Sequence, residues 1–204
     1  MQERFKGRPF GSVQVYPGRL TMPFRWRKPR VAFCSTFDPF HEDIPESYIR
    51  EALSVARQCD RHQYLWLTKR SKRMREIMAE VDPPKTLWLG ITAENCDCGN
   101  ERVRDLLRTP AAHRWISAEP LLEDLTSMDL AGIDWLVVGC ESGPKRRPCN
   151  GDWIRGILSD CREWRVPCLV KQIDLGGRCS ADPSEWSSDL RVQQFPEGLP
   201  HACT

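Results

Sequence analysis

Three times in this chain a tryptophan opens an apolar run that closes on a small residue and a glutamate: Trp88-Leu-Gly-Ile-Thr-Ala-Glu94, Trp115-Ile-Ser-Ala-Glu119 and Trp135-Leu-Val-Val-Gly-Cys-Glu141. A recurrence at about 25 residues leaves room for one helix and two short loops, which is the repeat of a parallel sheet. Residues that follow the carboxyl ends of successive parallel strands converge on one end of the sheet, where α/β proteins place their chemistry. Carboxylates gathered there are costly together unless a cation, a proton or a basic substrate group compensates them. The motif therefore predicts a fold and a site at once, with Glu94, Glu119 and Glu141 as candidate catalytic residues.

The remaining pattern agrees. Apolar runs at 31–36, 64–67, 86–91, 114–117, 135–139 and 166–170 read as six strands. Helical spacing recurs between them: Ile49, Ala52, Leu53 and Ala56 behind Pro45; Met74, Ile77, Met78 and Val81 behind a capping Ser71; Val103, Leu106 and Leu107 behind a capping Asn100; and Ile154, Ile157, Leu158 and Cys161. The connection through 121–130 carries a weaker pattern. Strands and helices in strict alternation predict an α/β fold, a parallel (β/α) partial barrel that is TIM-barrel-like, within one domain spanning 1–204. A closed barrel needs eight units. The tail, 176–204, is rich in Gly, Ser and Pro and reads as irregular.

Composition narrows the function classes. Mean hydropathy is −0.52 and no run approaches the length of a membrane span, so a soluble, cytoplasmic protein without membrane contact is expected. The net charge of +2 hides an asymmetry: residues 1–30 hold eight Lys or Arg against Glu3 alone, with Phe5, Phe10, Tyr16, Phe24 and Trp26 among them. Such a segment suits phosphate contact with base stacking, and so a nucleic-acid or protein partner. It equally suits a basic first helix and a loop wrapped on the barrel. Ten cysteines include no Cys-x-x-Cys pair, the closest being Cys96-Asp-Cys98, so no metal is assigned and buried, reduced thiols are expected.

Other polar residues follow the strands: Ser35, Thr36, Asp38, Arg70 and Thr92, and, as candidates for holding a cofactor or substrate, Thr68, Lys69, Asn95, Ser117, Ser142, Gly143, Lys171 and Gln172. Glu141-Ser-Gly-Pro144 reads either as a tight turn or as backbone N–H groups approaching an anion, with Lys145, Arg146 and Arg147 adding charge. His41, before Glu42 and Asp43, reads as a metal ligand, a proton shuttle or an ordinary loop histidine. No nucleophile triad, P-loop or dinucleotide fingerprint is present.

Several ordered motifs carry a family likeness: Gly18-Arg-Leu-Thr-Met-Pro-Phe-Arg-Trp-Arg-Lys-Pro-Arg30, Phe40-His-Glu-Asp43, Leu67-Thr-Lys-Arg70, Ser117-Ala-Glu-Pro-Leu-Leu122, Gly139-Cys-Glu-Ser-Gly-Pro144, Lys171-Gln172 and Leu190-Arg-Val-Gln-Gln-Phe-Pro196. Together they resemble the phage and prophage family named domain of unknown function 5131 over nearly the whole chain. Where that family commonly has Gly-Gly-Glu, this chain has Gly139-Cys140-Glu141. The family in turn resembles radical S-adenosylmethionine enzymes, which implies a partial barrel preceded by a three-cysteine segment holding a [4Fe-4S] cluster.

By that resemblance Met1-Gln-Glu-Arg-Phe-Lys-Gly7 is similar to the helix after the cluster loop. Adenosylmethionine and the cluster then belong to an extended form, and no cofactor is expected in the chain as given. An apolar flank is expected beside the first strand. Glu119 and Glu141 take, by analogy, the cofactor's amino or ribose groups. Three readings follow: the body of a radical enzyme, inactive without the cluster segment; a cluster-less nucleic-acid or partner-binding protein; and a hydrolase using Glu119 and Glu141 as acid and base.

Overall fold

The computed structural model describes residues 13–34 and 37–199. Ser35, Thr36, Met1-Gln-Glu-Arg-Phe-Lys-Gly7 and the end of the tail lie outside those residues. One curled half-barrel sheet holds seven strands in chain order: β1 (Val31–Phe33), β2 (Gln63–Thr68), β3 (Leu87–Thr92), β4 (His113–Ala118), β5 (Trp135–Gly139), β6 (Cys168–Asp174) and β7 (Cys179–Ser180). The first six pair in parallel and β7 runs antiparallel to β6. The helices are α1 (Pro17–Leu20), α2 (Met22–Arg25), α3 (Glu46–Gln58), α4 (Ser71–Met78), α5 (Cys96–Arg108) and α6 (Gly151–Trp164). No helix among the described residues is long and apolar enough to cross a membrane.

Sequential parallel pairing places α3 to α6 against one face of the sheet, where they share one core. Leu87, Leu89 and Ile91 of β3 point to that face and pack with Ile49, Leu53, Met74, Leu106, Ile154 and Leu158 from the helices. Alternate residues point the other way. Leu65, Trp88, Trp115, Trp135, Val137 and Leu169 form a second cluster on the helix-free, inner face. The tryptophans that head the repeated motif are therefore the floor of the hollow side.

The sheet has one more strand than the six expected; it comes from the tail, whose described residues are otherwise mostly irregular, as expected. Gly176 and Gly177, at φ of 58° and 98°, turn the chain back so that Asp174 and Ile173 pair with Cys179 and Ser180. A two-residue strand has no periodicity to read. Beyond it, short 3-10 turns at Pro183–Glu185 and Ser188–Leu190 bury Trp186 and Leu190. Residues 192–194 then bond along the start of β6, with Val170 N donating to Val192 O (2.9 Å) and Gln194 N to Cys168 O (2.9 Å).

Two caps differ from expectation as well. α5 starts at Cys96, because Asn95, extended at the strand end, accepts from Cys98 N at 3.1 Å; Asn100 lies inside the helix. Ser71 is the first helical residue of α4 and caps nothing. Its hydroxyl donates instead to Asp105 Oδ2 (2.8 Å), whose other oxygen meets Arg75 (2.7 Å), tying α4 to α5.

Candidate functional site at the carboxyl end of the sheet

Register defines the site in rows. Gly90 pairs with Trp115 and Trp115 with Trp135; one step toward the carboxyl end, Thr92 pairs with Ser117 and Ser117 with Val137. Above these the chain leaves the strands at Glu94, Glu119 and Glu141. A large aromatic floor, a row of smaller side chains and a charged rim together leave depth at this end of the hollow.

Glu119 follows β4 directly. Its Oε2 accepts from Ser117 Oγ (3.2 Å), and Lys171 Nζ stands 3.1 Å from Oε1 as an ion pair. Oε1 is nevertheless buried and receives no aligned hydrogen bond. The neighbouring strand is bare at this point: a Cβ on Gly139 would come within 3.0 Å of that same oxygen. Lys171 reaches Glu119 because the β5–β6 register slips between Val138 and Gly139, so that Val138 pairs with Val170 and Gly139 with Gln172. The extra residue re-aims the side chains of β6, as a bulge does. Gln172 then donates through Nε2 to Cys140 O at 2.5 Å.

Glu94 is the most enclosed of the three. Lys69 Nζ donates to its Oε1, Arg102 Nη1 donates to Oε2 at 2.5 Å, and Arg102 also bonds Thr92 O (2.7 Å). Burial pushes this carboxyl upward more than any other single influence. The hydrogen bonds and charges of Lys69 and Arg102 together outweigh it and hold the group below its ordinary range. Asn95 next to it is spent on capping α5.

Glu141 is committed to the turn. Arg147 gives it three bonds, from its backbone N (2.7 Å) and Nε (2.9 Å) to Oε2 and from Nη2 (2.7 Å) to Oε1. The guanidinium first, and the backbone N–H second, lower its pKa to about 2. Arg147 also feels the charge of Glu94, which puts both acids at one end of the sheet. Ser142 and Gly143 are exposed on that turn, Gly143 at φ +104°.

Because Glu141 is depressed relative to an unfolded glutamate, its contribution to the turn is complete above about pH 4.5 and disappears as pH falls through about 2. In Arg147→Ala the carboxyl should titrate near the ordinary glutamate value. A carboxyl-detected NMR titration of both proteins reads this, and an unmoved Glu141 would dissociate the pair.

The rim continues across β2. Asp38 accepts from Thr68 Oγ1 (2.6 Å), Lys69 N (3.0 Å) and Arg70 Nη1 (3.0 Å), while Arg70 Nε also reaches Glu42 (3.1 Å). His41 Nδ1 accepts from Asp43 N at 3.2 Å and stands 3.7 Å from the carboxylates of Glu42 and Asp43. It belongs to this loop's own polar network.

The sequence predicts three carboxylates in need of compensation, and the chain itself supplies it. Lys69 and Arg102 serve Glu94, Lys171 serves Glu119, and Arg147 serves Glu141. Arg102 is not legible as a site residue; its only signal is a position nearly two turns into the helix that follows Glu94. Cys34, Cys140 and Cys149 are kept protonated. Burial pushes Cys34 to about 12 and Cys149 to about 11, and burial with the nearby Cys179 thiol pushes Cys140 to about 12.

The chain matches, over residues 2–191, the family described as protein of unknown function (DUF5131). It belongs to that family. No curated protein and no solved structure gave a significant match. The half-barrel rim is thus the site that this DUF5131 member offers, argued from its own geometry.

Proposed function

We propose that this DUF5131 chain is the body of a radical S-adenosylmethionine-type enzyme, with the amino or ribose hydroxyl group of adenosylmethionine docking on Glu119. One observation carries the reading: Glu119 Oε1 is a buried carboxylate oxygen lacking a hydrogen bond, facing the bare backbone of Gly139. An unsatisfied buried acceptor is costly, and a ligand N–H or O–H donor removes that cost. Lys171 at 3.1 Å keeps Glu119 company as a charge, and Ser117 orients its second oxygen. Trp115 and Trp135 floor the hollow and exclude water from below.

The described cysteines do not fit a [4Fe-4S] cluster. Such a cluster needs convergent thiolates. No group of three His, Cys, Asp or Glu suited to a metal ion occurs among the described residues, and Cys34, Cys140 and Cys149 are held protonated. No step is therefore routed through a cluster. Adenosylmethionine held there would act on a substrate C–H bond only when given an electron by the [4Fe-4S] cluster expected of an extended form, and the chain's own part is binding, orientation and exclusion of water. The carboxylate-hydrolase reading is weakened by Glu141, whose pKa of about 2 and bidentate arginine make it a poor proton carrier.

Calorimetric titration with adenosylmethionine tests the proposal. The expected dissociation constant is on the order of 10 μM. Glu119→Gln should weaken binding by about tenfold to a hundredfold, the range of one hydrogen bond to a charged group. Glu141→Gln should change it less than about threefold. Absence of binding to the unaltered chain, or an unaffected Glu119→Gln, overturns the reading.

A further inference from the structure

Residues 17–30 carry Arg19, Arg25, Arg27, Lys28 and Arg30 and no acid. All five are exposed. Around the rim of the sheet every cation discussed above has a carboxylate; Arg25, Arg27 and Lys28 have no such ion pair among the described residues. Unpaired, exposed cations concentrated on one short ribbon are a polyanion-binding feature rather than a stabilising one.

The ribbon is fixed in place. Arg61 gathers the carbonyls of Pro23 (3.2 Å), Phe24 (3.3 Å) and Trp26 (2.9 Å). Beside it the fully buried His62 accepts from Arg30 N at Nδ1 (3.2 Å), so its proton sits on Nε2, 3.1 Å from Pro23 O. Trp26 packs edge-on against His62 with ring centroids 5.1 Å apart, and the Arg30 guanidinium lies 5.6 Å over the Trp26 ring. The cations are therefore displayed from a held backbone, and little backbone ordering entropy remains to be lost on binding.

A groove of about 430 Å³ runs beside this ribbon. Arg19, Met22 and Trp26 form one wall, the edge strand β1 with Phe33 lies along it, and Phe37 and Tyr48 contribute from the loop and α3. Phe24, Phe33 and Phe37 are each about half exposed, at 46%, 46% and 50%. Glu51 of α3 places an acid near Tyr48, so the basic wall is the α1–α2 side.

We infer that the ribbon and the groove beside it bind single-stranded nucleic acid, phosphates on Arg25, Arg27 and Lys28 and bases against Phe24 on the ribbon and Phe37 in the groove. Interleaved cations and exposed flat rings match a strand whose bases are unstacked and follow every phosphate; a duplex hides those faces, and a run of acidic residues brings no rings to stack. The inference is independent of adenosylmethionine binding.

Fluorescence anisotropy of the full chain with a labelled oligothymidylate of about 20 nucleotides tests it. Binding should weaken with salt, with a log–log slope of about −2 for three phosphate contacts on a single strand. Arg25→Glu/Arg27→Glu/Lys28→Glu should lower affinity at least about tenfold and flatten the slope. Phe24→Ala/Phe37→Ala should lower it severalfold while leaving the slope in place, a signature that a bare polyanion site lacks. Glu119→Gln should bind the oligonucleotide as the parent does, which separates this result from the radical-enzyme reading. Polyglutamate or anionic phosphatidylserine vesicles competing as well as the oligonucleotide, a duplex of equal length binding more tightly, or an unaffected triple variant overturns the inference. Circular dichroism of each variant confirms that a loss of binding is not a loss of fold.

Discussion

Ending the chain after Arg191 is expected to cost on the order of 5 kcal/mol, a large share of the about 5–15 kcal/mol that stabilises a domain. The segment from Val192 to Leu199 is a strap on β6 and the hollow face. It satisfies Val170 N through Val192 O (2.9 Å), Cys168 N through Gln194 Oε1 (3.1 Å) and Trp135 Nε1 through Gln194 O (3.1 Å). Each donor left without a partner costs about 1 kcal/mol or more. Leu199, 5% exposed against the tryptophan cluster, adds about 2 kcal/mol of lost burial. Urea unfolding should show the midpoint lowered by about 2 M, with tryptophan emission shifted to the red before the transition. A shift under about 0.5 M would mean that β6 and the floor are held without the strap.

Gly90→Val is expected to cost about 3 kcal/mol or more, far beyond the loss usual for a surface strand position. A Cβ built on Gly90 overlaps the indole of Trp115 on the adjacent strand. That ring is poorly placed to withdraw. It is 2% exposed, donates through Nε1 to Trp66 O (3.2 Å), and packs against Phe33 and Trp135 with ring centroids at 5.9 and 5.7 Å. Any retreat passes to Ser117 and Glu119 further along β4, so adenosylmethionine binding should weaken in parallel. Trp115→Leu in the same chain frees the space, and the double variant should be more stable than the sum of the two single losses by over about 1 kcal/mol. Additive losses would show that Gly90 is there for backbone reasons and that the indole does not press on it.

Taken alone, the sequence determined that β3, β4 and β5 are parallel neighbours and that Glu94, Glu119 and Glu141 leave them at the same end. Those facts depend on local alternation and on the spacing of one repeat, both of which are written along the chain. It likewise located α3 and α6 through their apolar spacing. It placed the start of α5 at Asn100, because Asn95 and Asn100 offer the same capping chemistry and only the end point of β3 selects between them. Tertiary structure alone decided what each glutamate does. Lys171 meets Glu119 through a one-residue slip that leaves no mark in composition, and Arg102 meets Glu94 through the angle at which α5 leaves the sheet. The same is true of the tail. Its polar, Gly-rich residues carry no period, yet they close the edge of β6 because unpaired backbone donors there had to find acceptors, and a register between distant segments is set by that accounting rather than by any local preference.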